Sequence, residues 1–61
     1  MSTTKSSVRY GQMAHGIIDG LPAQWRFAGR RGGAWVLERM LNGRSVEDRF
    51  VSWDVVLRIF V

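Results

Sequence analysis

Ala34-Trp35-Val36-Leu37-Glu38-Arg39-Met40-Leu41-Asn42-Gly43-Arg44-Ser45-Val46-Glu47-Asp48-Arg49-Phe50-Val51 is the stretch that decides the fold. Asn-Gly is the pair best suited to a two-residue hairpin turn, because that turn holds both central residues at positive φ. Residues 34–41 and 45–51 flank it with β-branched and aromatic side chains in strand-like spacing. An unbulged type I′ turn sets Leu41 opposite Arg44, Arg39 opposite Val46, Leu37 opposite Asp48 and Trp35 opposite Phe50. One face then carries Trp35, Leu37, Leu41, Val46 and Phe50. The other carries Val36, Glu38, Met40, Ser45, Glu47 and Arg49. A slip that put Trp35 against Arg49 and Leu37 against Glu47 would waste the apolar face, so burial favours the unbulged register. Two blemishes follow from it. Glu38 faces Glu47, a like-charge pair that Arg26 and Arg49 offset, and Asp48 lies on the apolar face with Arg39 as its diagonal partner.

Toward the N-terminus, Trp25 and Phe27 alternate with Gln24, Arg26 and Ala28, which reads as another strand with one apolar face. Gly29-Arg30-Arg31-Gly32-Gly33 joins it to the hairpin as a glycine-rich loop. Before that, Asp19-Gly20 is a turn signal and Ile17-Ile18 a candidate short strand. Pro22 lacks a backbone donor, so a strand here starts after it or runs along an edge. Residues 1–12 read as a flexible basic tail and residues 13–61 as a single small domain.

Toward the C-terminus, Ser52 suits a helix N-cap and Asp54 the first helical turn. Trp53, Val56, Leu57 and Phe60 share one helical face, Asp54 and Arg58 are spaced as an ion pair, and Val55, Ile59 and Val61 point away. The same segment also alternates as a strand. A one-faced sheet needs a cover, which favours the helix. The expected class is α+β: an antiparallel three-stranded β-meander, with Ile17-Ile18 as a candidate extra N-terminal strand, packed by one C-terminal helix. The alternative is an all-β, small SH3-like barrel.

The order strand, strand, Asn-Gly, strand, Ser-Trp, helix resembles the sheet-plus-helix DNA-binding domains of integrase N-terminal arms and plant apetala-type proteins. The resemblance spans residues 24–61 and is carried by Trp25-Arg26, Gly33-Ala34-Trp35, Asn42-Gly43-Arg44 and Ser52-Trp53. It implies basic residues on the sheet that read a DNA groove. Arg26 and Arg49 hold comparable places here, beside Glu38 and Glu47.

A chain of 61 residues makes one domain, and small cores need help from packing or association. Cysteine is absent, which removes disulfides and most structural zinc sites. With no signal peptide or membrane span legible, the cytoplasm is the expected compartment. The net charge is +4, supplied by Lys5 and eight arginines against five acids. An excess of guanidinium groups points to an anionic partner, DNA before RNA.

The expected nucleic-acid contacts are Lys5, Arg9, Arg30, Arg31 and Arg44, which sit in the tail and at loop tips. The Gly29-to-Gly33 loop is no phosphate-binding P-loop, because it lacks the Gly-Lys-Ser/Thr end. Trp53, Arg58, Ile59 and Phe60 are the expected hot spots if the partner is a host protein, and a homo-oligomer such as a homodimer is a further expectation. A small phage- or plasmid-type regulator or inhibitor would have this make-up.

No enzyme, metal, cofactor, membrane or small-molecule substrate is expected. His15 is alone. Ser52, His15 and Asp54 supply triad residue types with nothing to group them. Asp19, Glu38, Glu47, Asp48 and Asp54 lack metal-loop spacing. A ligand pocket of about 300 Å³ or more is hard to enclose in so small a chain.

Overall fold

A computed structural model describes residues 8–61. Strands β1 (Met13–Ile18), β2 (Leu21–Arg31), β3 (Ala34–Leu41) and β4 (Arg44–Val51) form one antiparallel sheet in the order β1-β2-β3-β4, followed by helix α1 (Trp53–Phe60). The expected meander and C-terminal helix are present, with a full N-terminal strand in place of two residues. The sheet stays open, with β1 and β4 as its edges, so it is not a barrel.

Two-residue corners join all the strands. Asn42 and Gly43 sit at φ 54° and 79°, the type I′ signs, and Asp19-Gly20 and Gly32-Gly33 repeat them. Pro22 lies inside β2 rather than before it. The pairing of β2 with β3 begins only at Gln24, so the missing donor at Pro22 faces no central ladder.

Two bulges change the expected register. In β2 the ladder shifts between Phe27 and Arg30, where Gly29 takes φ 90°. Residues 29–31 are therefore not a loop: Arg30 pairs with Trp35 and Arg31 with Ala34, and only Gly32-Gly33 turn. In β4 the shift falls between Ser45 and Glu47, leaving Val46 unpaired. Leu41 does oppose Arg44, but Arg39 then opposes Glu47, Leu37 opposes Arg49, Glu38 opposes Asp48, and Trp35 opposes Val51. The expected faces of β4 are reversed. Phe50 and Asp48 leave the helix side of the sheet, while Glu47, Arg49 and Val51 join it. The exchange replaces Asp48 by Glu47 on the helix side, where Arg39 and Arg49 meet it, and sets Val51 beside Trp35.

The core lies between the sheet and α1. It centres on Ile18, Trp25, Phe27, Leu37 and Val56, with Trp35, Val51, Trp53, Val55, Ile59 and Phe60 packed around it. Burying a large apolar side chain contributes about 1.5–3 kcal/mol, and an eight-residue helix is too short to hold in water alone. Packing therefore holds α1 in place. Its sheet-facing arc is rotated from the expected one: Val55 and Ile59 join Trp53, Val56 and Phe60 on the core, and Leu57 does not. Ser52 makes no side-chain cap, although its carbonyl accepts from Val55 N–H at 3.1 Å. Arg58 bonds not Asp54 but the Ile17 carbonyl, at 3.0 Å, which ties the helix to edge strand β1.

Ile59 needs Gly16 beneath it, because a Cβ at position 16 would overlap the Ile59 side chain. Residues 8–12, placed in the tail on sequence grounds, join the fold. Val8 packs on the core, Gly11 N–H donates to the Phe27 carbonyl at 2.7 Å, and Phe27 N–H donates to the Gln12 carbonyl at 2.9 Å. The remainder of that tail lies outside the described residues.

Candidate functional site

Charge pairing decides which arginines are left for a ligand. Arg26 Nε donates to Glu38 Oε1 at 2.6 Å. Arg39 and Arg49 share Glu47, at 2.9 and 2.8 Å, and Arg49 also reaches Asp19 at 3.0 Å. Arg31 stands 4.0 Å from Asp48. Hydrogen bonds from Arg39 and then Arg49 hold the Glu47 carboxyl below its usual range, and the bond to Glu47 raises Arg49 further. Arg49 also lies over the buried Trp25 ring, 6.0 Å from its centroid. Every carboxylate of the sheet is thus engaged. Among the described residues, Arg9, Arg30, Arg44 and Arg58 have no carboxylate partner.

Those four are spread over the molecule. Arg44 opens β4 beside the Asn42-Gly43 corner, at the opposite end of the meander from Arg30. Arg58 is on the outer side of α1. Arg9 and Arg30 share one end, because the Tyr10 ring rests on Gly29: its Cε1 would lie 3.4 Å from a Cβ placed there. Arg30 and Arg31, adjacent in a strand, point to opposite faces. Arg30 lies over Trp35 on the helix side, 5.4 Å from the ring centroid, and Arg31 lies over Phe50 on the open side, at 5.7 Å. The expected five-residue set is therefore divided: Arg9 and Arg30 lie at one end of the sheet, Arg31 turns away toward Asp48, Arg44 is remote, and Lys5 lies outside the described residues.

The expected protein-contact residues mostly face inward. Trp53 packs against Trp35 with the ring planes tilted by 51° and centroids 4.6 Å apart, and Phe60 packs edge-on to Phe27 at 6.2 Å. Ile59 covers Gly16, and Arg58 alone of the four is exposed.

Two features escaped the sequence reading. Tyr10 is 78% exposed, yet it belongs to a well-tied turn in which Gln12 N–H donates to the Arg9 carbonyl and Arg9 N–H to Gln12 Oε1, each at 2.9 Å. Arg9, Tyr10, Gly11 and Gln12 line an open depression of about 510 Å³. The signal available was a lone tyrosine beside an arginine and a glycine. The second feature is the open sheet face, where Met13, Ile17 and Phe50 are exposed and Val36 and Met40 are buried without contact with the helix-side core. On the same face His15, Ile17, Pro22 and Gln24 border a second depression of about 450 Å³. Both depressions are open to solvent, and neither is an enclosed pocket.

Among the described residues no group of three or more histidines or carboxylates is placed to hold a metal ion, and no helix is long and apolar enough to cross a membrane. No protein-family model matches the chain, and no curated protein or solved structure is significantly similar to it.

Proposed function

We propose that this chain is a non-enzymatic nucleic-acid-binding module that holds phosphates at the end of the sheet carrying Arg9 and Arg30. One observation carries the reading: the sheet carboxylates are neutralised within the fold, and two arginines without carboxylate partners remain beside an exposed aromatic ring. Guanidinium groups fork onto phosphate oxygens, and the release of condensed counterions supplies much of the affinity.

The test is fluorescence anisotropy with labelled DNA across salt concentrations. Replacing Arg9 and Arg30 together with alanine should flatten the log–log salt slope by about 1.4–1.8, the value for two lost phosphate contacts. Arg26→Gln, at an internally paired position, should leave it nearly unchanged. A slope that the double variant does not alter refutes the assignment.

A second reading, self-association through the open sheet face, is favoured by the exposure of Met13, Ile17 and Phe50 together on one unpartnered side. Sedimentation equilibrium tests it, and a strictly monomeric species at high concentration refutes it.

A further inference from the structure

We infer that Tyr10 is a stacking platform for an unpaired base, and hence that the ligand is single-stranded nucleic acid. The inference rests on the phosphate-binding reading above and adds to it the form of the strand. An exposed apolar side chain by itself is ordinary. Tyr10 differs because its position is set. The turn that carries it is pinned to β2 through Gly11 and Gln12, and one side of its ring lies against Gly29. At φ 90° that position favours glycine, which has no side chain, so the ring meets backbone there. The ring remains 78% exposed.

Space and charge fit the same ligand. The depression of about 510 Å³ borders the ring, and a Cβ at Gly11 would meet nothing within 4 Å. Arg9 is the residue before Tyr10, and Arg30 follows the glycine on which the ring leans. The Arg30 guanidinium lies over the Trp35 ring, and no carboxylate pairs with it. An exposed aromatic ring on a pinned turn, with arginines at the same end of the sheet, suits one base of a flexible strand and its neighbouring phosphates. Bases inside a duplex already stack on each other and cannot reach such a ring.

The experiment uses the full chain and two fluorescein-labelled probes, an oligothymidine and a DNA duplex of equal length, with anisotropy read at one salt concentration. The single strand should bind more tightly. Tyr10→Ala should weaken single-strand binding by roughly 5- to 150-fold, the range for losing one aromatic–base stack. Tyr10→Phe should stay within about twofold of wild type, since stacking needs the ring and not the hydroxyl. Tryptophan fluorescence of each variant checks that the core is intact. Single-strand binding that is indifferent to Tyr10→Ala overturns the platform while the salt-slope reading stands. Preference for the duplex does the same. Failure to bind either probe removes both.

Discussion

The indole N–H of Trp25, a residue with no solvent exposure, donates to the carbonyl of Gly16 at 3.0 Å, while Ile59 of the helix presses on the same glycine. One residue of edge strand β1 thus satisfies the one polar atom of the central tryptophan and receives the helix. Gly16→Ala should destabilise the fold by about 1–3 kcal/mol through overpacking. Its cost should shrink when Ile59→Ala is already present, because the added methyl then enters vacated space. Urea unfolding of the two single variants and the double variant measures the coupling. Strictly additive losses would contradict the contact.

Phe50 and Val51 test the register. Phe50 lies on the open face and Val51 opposite Trp35. Val51→Ala should cost about 1–2 kcal/mol and Phe50→Ala less, despite the larger side chain removed. The unbulged register would reverse the order. Equilibrium denaturation of both variants decides.

Glu47 sets an acid response. Its carboxyl is held below the usual glutamate value of 4.5, first by Arg39 and then by Arg49. A folded-state pKa lower than the unfolded one stabilises the protein at neutral pH. That contribution is lost as pH falls from the unfolded value through the folded one. Melting temperature should therefore fall more steeply with acidification in the wild type than in Glu47→Gln, with the two curves converging below the ordinary glutamate range. Parallel curves from neutral pH downward would contradict the linkage.

Gly43 sits at φ 79°, and a Cβ there would meet nothing within 4 Å. Gly43→Ala should cost about 1 kcal/mol from backbone strain alone. Asn42→Gly should cost a few tenths, since glycine also accepts positive φ. Thermal unfolding checks both, and an equal loss in the two would argue against the type I′ corner.

The hairpin at Asn42-Gly43 and the helix from Trp53 were legible because each rests on local chemistry: a pair of residues tolerant of positive φ, and a helical spacing of apolar groups. Strand β1 was not. Gly16 reads as a breaker in isolation, and its reason for being there is a side chain 43 positions later, Ile59. Nor was the bulge at Val46, since it follows from pairings across strands, Arg39 with Glu47 and Trp35 with Val51. At the candidate site the charge surplus could be summed from composition. Which arginines make up that surplus could not, because partners such as Arg49 and Asp19 lie 30 residues apart. Tyr10 was hidden by its place in a segment that looks like a tail until its bonds to Phe27 are seen.

The most direct test of the account is a titration of the isotope-labelled protein with oligothymidine, followed by amide chemical shifts. Shifts confined to Arg9, Tyr10, Gly11, Gln12, Gly29 and Arg30 are predicted. Shifts centred on the Asn42-Gly43 corner or on the open face around Met13 and Phe50, or no shifts at all, would contradict it.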